Sequence, residues 1–354
     1  MVFTSRLADR CSVGCFSRPR CLRLAASQRP LSHRVRKTCH DGNSSWAARA
    51  EVGEVTPVVD LPPPPIVNNT WEWRGYNINY AVSGEGPTVL LVHGFGASVG
   101  HYRKNIPVIA ENHKVFALDL LGFGASDKAP VDYSMELWRD LILDFVEEFA
   151  VEPVVLVGNS TGSLASLMAA ASPSKGLIKS IVLLNCAGAM NNKSLIDDWR
   201  LMIVYPLFLL IDFLLKTPPI ANFLFEKYSS KDNVRNILGA VYENQNAVDD
   251  DLVDLIHGPS QDEGAVDVFV SVLTGPGGPR PESLTDSVDC PILLLWGNKD
   301  PFTPIDGPVA RFFRGLAETR PNTAFVELDG VGHCPHDDRP DLVHQELLPW
   351  LEKL

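Results

Sequence analysis

A chain of 354 residues, 45% hydrophobic and 21% charged, holds ample apolar material for a buried core and lacks the bias of a disordered or fibrous protein. Ten of its 31 Lys and Arg fall in residues 1–50 beside only two acids, Asp9 and Asp41, so residues 51–354 carry 21 basic against 41 acidic side chains. That balance of −20 argues against nucleic acid as a partner and against charge-driven attraction to anionic membranes.

The basic front is rich in Arg and Ser, is broken by Pro19 and Pro30, and has no uninterrupted apolar core. This is the composition of an organelle transit peptide rather than a secretory signal, with removal expected around Trp46–Ala50. A basic tail that stays attached is the alternative, and composition leaves plastid and mitochondrion open. Four of the seven cysteines lie in this segment. Cys186, Cys290 and Cys334 remain, scattered and without CxxC spacing, so free thiols are expected and neither a disulfide scaffold nor a metal site.

Residues 51–70 read as an acidic, proline-rich linker, in which Pro62 to Pro65 favour extended geometry. The folded body is expected from Trp71. Strand-like runs follow at Tyr76–Val82, Thr88–Val92, Lys114–Asp119, Val154–Gly158, Ser180–Asn185, Pro291–Gly297 and Thr323–Leu328. Several are continuously apolar, as strands covered on both faces are. Helical periodicity over Leu137–Phe149 puts Leu137, Leu141, Phe145 and Phe149 on one face, and Leu164–Ala171 and Leu342–Leu354 are further helices. The alternation predicts an α/β fold with a mainly parallel central sheet flanked by helices. Between Asn185 and Pro291 lie 105 residues, far more than one crossover needs. Residues 186–287 therefore read as a helical cap, inserted into a core formed by 71–185 and 288–354.

Three segments carry chemistry. Val154–Val157 leads into Gly158-Asn159-Ser160-Thr161-Gly162, a G-x-S-x-G between strand and helix, which is the context of a nucleophile elbow. Ser160 is the expected nucleophile, and Gly158 and Gly162 lack side chains because the turn leaves no room for them. Upstream, His93-Gly94-Phe95-Gly96 closes another strand. The fold takes one oxyanion N–H from such a loop and one from the residue after the nucleophile, here Phe95 and Thr161. His93 reads as a loop-fixing residue.

The remaining partners follow in the order nucleophile, acid, base. Asp300, just past the strand ending at Gly297, is the expected acid, with Asp289 and Asp306 as weaker candidates. His333, in Gly330-Val331-Gly332-His333, is the expected base. His336 is its competitor, but Pro335 and the acidic pair Asp337-Asp338 are expected to draw it to the surface. His101, His113, His257 and His344 read as structural or solvated. Serine at the elbow, where epoxide hydrolases and dehalogenases have aspartate, points to acyl transfer. With no phosphate loop, dinucleotide fingerprint or metal-ligand spacing, no cofactor is expected, and a hydrolase of this kind needs only water.

Beyond these general motifs, NCAGAMNNK (185–193), LLIDFLLK (209–216), GPGGP (275–279), IDGPV (305–309) and GHCPHDDRPDLVH (332–344) give the body a resemblance to plant and algal chlorophyll dephytylases. These are chloroplast α/β-hydrolases that release phytol from chlorophyll. The resemblance implies the α/β-hydrolase fold, the triad Ser160, Asp300 and His333, a lipophilic ester such as chlorophyll as substrate, and a chloroplast location at the thylakoid. Pheophytinases, which act on magnesium-free pigment, are related, but usually have Leu-Gly-Gly after the serine where this chain has Thr161-Gly162-Ser163. A hydrolase-fold hormone receptor, a carbon–carbon bond hydrolase and a general esterase remain as alternatives. The most apolar stretch, Leu201–Leu215, has 15 residues and is interrupted by Pro206 and Asp212. It falls short of the ~20 residues that span a bilayer, so it reads either as a buried helix pair packed on the sheet domain or as a segment that lines a greasy pocket or touches the membrane interface through the cap.

Overall fold

The computed structural model describes residues 63–173, 176–191 and 210–354. The basic segment expected to be a transit peptide and most of the linker therefore lie outside the described residues, as do Phe208 and Leu209 of the apolar stretch. Eight strands form one sheet in the order β1-β2-β4-β3-β5-β6-β7-β8. They are β1 Val67–Trp73, β2 Tyr76–Ser83, β3 Thr88–Val92, β4 Lys114–Leu118, β5 Val154–Asn159, β6 Ile178–Leu184, β7 Ile292–Gly297 and β8 Thr323–Leu328. The first two pairings, β1 with β2 and β2 with β4, are antiparallel, and the rest are parallel.

The continuously apolar runs became the central strands: every residue of β3, β5 and β7 is buried. Each face of the sheet has its own apolar cluster. On one, Trp138, Leu141 and Phe145 of helix α2 (Met135–Phe149) pack with Leu90, Leu118 and Leu156. Ser134 caps α2 by accepting the Leu137 N–H at 3.2 Å, a contact worth about 1 kcal/mol. On the other face, Tyr102, Ile106 and Ile109 from the segment leading into and through the short helix α1 (Ile106–Ile109) meet Val343 and Leu347 of the C-terminal helix Pro340–Glu352.

The folded body begins earlier than the sequence suggested. Val67–Thr70, assigned to the linker, is the first half of β1 and pairs with Asn79–Val82. This stretch carries no apolar alternation because it is an edge strand, held by backbone hydrogen bonds rather than by a buried face. Its register is set by the two-residue turn Arg74-Gly75, where both φ angles are positive (52° and 84°), as a type I′ hairpin requires. Trp71 then seats edge-on against Phe145 and Phe149, at 5.6 Å in each case.

Between β6 and β7 most of the described residues are helical. Residues 210–215 (α4) are followed by α5 Pro218–Ser229, α6 Lys231–Val241, α7 Asp250–His257 and α8 Ala265–Thr274. Val234, Leu238, Val241, Leu252 and Val253 of the insertion form a small apolar cluster that also takes in Cys334 from beyond β8. Among the described residues no helix is long and apolar enough to cross a membrane. Cys186, Cys290 and Cys334 are free thiols, and burial pushes the Cys186 and Cys334 thiols up.

A chain begun at Glu51 should unfold at the same denaturant midpoint as the full-length protein. One begun at Trp71 should lose about 2–4 kcal/mol, at roughly 1 kcal/mol for each ladder hydrogen bond removed with Val67–Thr70. Equal midpoints for the two shortened chains would mean that the edge strand adds no stability.

Candidate active site

Ser160 stands where β5 ends and helix α3 (Thr161–Ala171) begins, with φ 52° and ψ −117°. A positive φ at a non-glycine residue costs on the order of 1–3 kcal/mol and persists only where its surroundings impose it. Here β6 imposes it. The Ser160 N–H donates to Leu184 O at 3.0 Å, and the Ala187 N–H donates to Ser160 O at 3.1 Å. Ser163 staples the turn from inside: its hydroxyl donates to Gly158 O at 2.6 Å and accepts the Leu184 N–H at 3.1 Å. The two glycines are obligatory. A Cβ at Gly158 would lie 2.5 Å from Gly162 O, and one at Gly162 would lie 2.3 Å from both Val92 O and His93 O.

The His93–Gly96 loop lies directly against this turn, since a Cβ on Gly94 would come within 3.1 Å of Ser160 Cβ. His93 is buried. Its Nε2 accepts the Leu120 N–H at 3.0 Å, which leaves Nδ1 to carry the proton toward Gly94 O at 2.7 Å. Burial lowers its pKa, so it ties two loops together as a neutral imidazole, in keeping with the loop-fixing role expected of it. Thr161 is the first residue of α3, where an N–H has no acceptor within the helix and sits at the positive end of the dipole. Its hydroxyl is buried and unpaired.

The expected acid and base meet. His333 follows β8, and its Nδ1 lies 2.7 Å from Asp300 Oδ2. Asp300 also accepts the N–H groups of Phe302 (2.7 Å) and Thr303 (3.1 Å), the Thr303 hydroxyl, and Asn185 Nδ2 at 2.6 Å. Burial pushes this carboxyl upward, but the bonds from His333 and Thr303 outweigh it and hold the pKa below the ordinary carboxylate value. Asp300 is thus an ionised, oriented acceptor for the imidazole N–H. Asp289 and Asp306 make no such contact with His333. Between His333 Nε2 and Ser160 Oγ no hydrogen bond is formed among the described residues. Pairs of this kind often tighten only around bound substrate.

Three supporting residues escaped sequence reasoning. Asn185 takes the strained φ of 45°, accepts the Gly297 N–H at 2.9 Å, and donates to Asp300. Asn159 Nδ2 donates to His333 O at 3.1 Å, joining the elbow to the base loop. Ser163 is the third. The one available signal was position, since Asn159 and Asn185 each stand at the carboxyl end of a central strand.

His336 is a correction. It is 0% exposed, not drawn to the surface, and its ring lies 4.5 Å from that of His101 and 4.6 Å from that of Tyr102. The acids beside it are buried too. Pro335 opens a short helix, α9 in Pro335–Asp338, that turns the chain inward, where Asp337 pairs with Arg103 Nη1 and Lys104 Nζ at 3.2 Å each. Of the histidines expected to be structural or solvated, His101 and His113 are buried.

Above Ser160 the surroundings are aromatic. The half-exposed ring of Phe95 stands edge-on to Phe123 at 5.5 Å and lies 6.3 Å from Phe269 of α8, which in turn lies 5.2 Å from Phe225 of α5. Phe302 meets the His333 ring edge-on at 5.1 Å. Among the described residues no group of three or more His, Cys, Asp or Glu is arranged to hold a metal ion.

Among known proteins, the chain is 27% identical over 327 residues to the chloroplastic pheophytinase of Arabidopsis thaliana, covering 80% of this chain and 66% of that protein. It therefore spans just under two thirds of that relative's length. It is 26% identical over 267 residues to YugF, an uncharacterized hydrolase of Bacillus subtilis, covering 75% of this chain and 90% of that one. Among solved structures, a serine hydrolase involved in carbazole degradation matches with a TM-score of 0.65 at 20% identity, covering 82% of this chain and all of that one. A bacterial membrane phospholipase A matches at 0.62 with 22% identity, covering 81% and 86%. At such identities these two show the fold. A model described as the alpha/beta hydrolase family matches residues 89–346, well over half of the sequence, and the chain belongs to that family.

Proposed function

We propose that this chain is a serine carboxylic-ester hydrolase acting on a lipophilic ester, with the phytyl ester of chlorophyll as its substrate. The observation that carries the hydrolase reading is a serine held at a strained strand-to-helix turn beside a buried, paired Asp300–His333. In this reading Ser160 Oγ attacks the ester carbonyl while His333 Nε2 takes its proton. The Phe95 and Thr161 N–H groups receive the oxyanion, and the proton passes to the departing alcohol. Water then repeats the sequence on the acyl-enzyme. Asp300 keeps Nδ1–H oriented and stabilises the imidazolium. A paired acid and base favour turnover over a receptor role.

The choice of ester rests on the run of rings from Phe95 through Phe269 to Phe225, which offers a long apolar alcohol a contact surface leading away from Ser160. Similarity to a chloroplastic pheophytinase supports a pigment ester and, with the basic front, a chloroplast location. The same similarity favours one second reading, a magnesium-free pigment as substrate. Peripheral contact with a thylakoid-like bilayer belongs to the proposal as well. Phe213 and Phe223, 69% and 66% exposed on neighbouring cap helices, would enter lipid by burial of apolar area rather than by charge.

Three experiments test this. Ser160→Ala should lower kcat by about 10⁴-fold or more and Asp300→Asn by about 10⁴-fold, both in protein that melts normally. Near-native turnover in either would refute its assigned role.

Replacing Phe225 and Phe269 by Ser removes two contacts, each worth about 1.5–3 kcal/mol when fully buried. Hydrolysis of chlorophyll should therefore fall far more than that of a short soluble ester. Equal losses on both would point to general unfolding, and faster turnover of pheophytin than of chlorophyll would select the second reading.

Flotation with galactolipid vesicles should be nearly independent of salt from low to physiological ionic strength and weakened by Phe213→Ser with Phe223→Ser. Binding that salt abolishes would contradict an apolar contact.

A further inference from the structure

Asp338 is five residues beyond the expected base and 1% exposed. Its Oδ2 accepts the Gly332 N–H at 2.7 Å and the Glu243 N–H at 3.2 Å, and its Oδ1 accepts the Asn244 N–H at 2.8 Å. Its carbonyl accepts Asn244 Nδ2 at 3.1 Å. The N–H of His333 itself donates to Val241 O at 3.0 Å. Both amides at the approach to the imidazole are thus bonded either to Asp338 or to the segment Val241–Asn244, which closes α6 of the cap.

Further contacts tighten the same seam. Cys334 shares one apolar cluster with Val234, Leu238 and Val241 of the cap. The Tyr242 hydroxyl donates to Asp337 Oδ2 at 3.1 Å. A Cβ on Gly332 would lie 2.1 Å from Val241 O, so the two backbones run in direct contact. On its other side, the carbonyl of His333 is held by Asn159, the neighbour of Ser160. The backbone of the base is therefore suspended between the cap and the elbow, and its ring is not yet bonded to Ser160.

We infer that Asp338 is a positioning residue through which the cap sets the place of His333 relative to Ser160. The inference rests on reading Ser160 and His333 as nucleophile and base. A carboxylate suits the task because its two oxygens accept three backbone N–H groups at once, from both sides of the seam, at charge-assisted strength. An amide of the same shape offers one acceptor and turns an NH₂ toward groups that are themselves donors. The seam then loosens on both sides together, and the ring drifts from the nucleophile while the elbow keeps its geometry.

The test uses the full-length chain, a short soluble ester and deuterium exchange. Asp338→Asn should lower kcat by about 10- to 100-fold, the cost of a misplacement near 1 Å, while KM stays close to native. Exchange should rise together in peptides spanning 241–246 and 330–336 and stay native in 154–159. If Asp338→Asn does not fold, Asn244→Ala removes one bond from the cap side and should show the same pattern more weakly. Native kcat despite loosening of both peptides, or exchange that rises in one of them alone, would overturn the inference. Native turnover in Ser160→Ala would instead refute the triad reading, and the paired exchange does not depend on that result.

Discussion

The arrangement depends on one backbone conformation, the left-handed φ of Ser160. A serine in this region is disfavoured on its own. It is stable here because the end of β6 accepts its N–H and Ala187, just beyond β6, donates to its carbonyl, and because Ser163 reaches back to Gly158 from the first turn of α3. Everything else in the site takes its place from that turn. The glycine loop after β3 fits against it because Gly94 and Gly162 have no side chains. The first N–H of α3 stands beside the hydroxyl because the helix starts at the very next residue. A relaxed turn would carry the serine into the strand or the helix and away from the glycine loop and the start of α3.

The order of elements and the principal residues were legible because each rests on a local signal. Continuous apolar runs can only be strands buried on both faces, and β3, β5 and β7 have no exposed residue. A serine between two glycines at a strand end constrains the backbone by itself, and Asp300 and His333 follow from chain order. What was not legible depends on distant partners. Val67–Thr70 is polar and reads as linker, yet its backbone pairs with β2. Asp337 and Asp338 look like a solvated acidic pair, yet Arg103, Lys104 and the amides of Glu243 and Asn244 come to them across the fold. Sequence patterns assume that charge faces water unless a partner is adjacent in the chain. Here the partners are some 95 to 235 positions away.

Asn185 shows the same limit at the level of the site. Nothing at its position says that its side chain will span from β7 to the acid. Once β6 and β7 are neighbours, however, its Oδ1 meets the Gly297 N–H and its Nδ2 meets Asp300. The acid is thereby fixed by a strand that it does not belong to. A carboxylate with this many donors remains charged even though it is nearly inaccessible, and a charged acceptor is what distinguishes an orienting acid from a buried neutral one.

Residue type alone does not single out His333 among the histidines. Four of them near the site are buried: His93, His101, His333 and His336. Burial lowers the pKa of His93, takes His101 down to about 3 with help from nearby positive groups, and holds His336 well below its ordinary value. Each of these three stays neutral, and each has a reason to. The Nε2 of His93 must accept a backbone N–H, which protonation would forbid, while His101 and His336 face each other near Arg103 and Lys104. Only His333 has a carboxylate at hydrogen-bond distance from one ring nitrogen and a backbone that is tied to the elbow. The fold separates four chemically identical rings by what it places beside them, and only one of the four is set against a carboxylate.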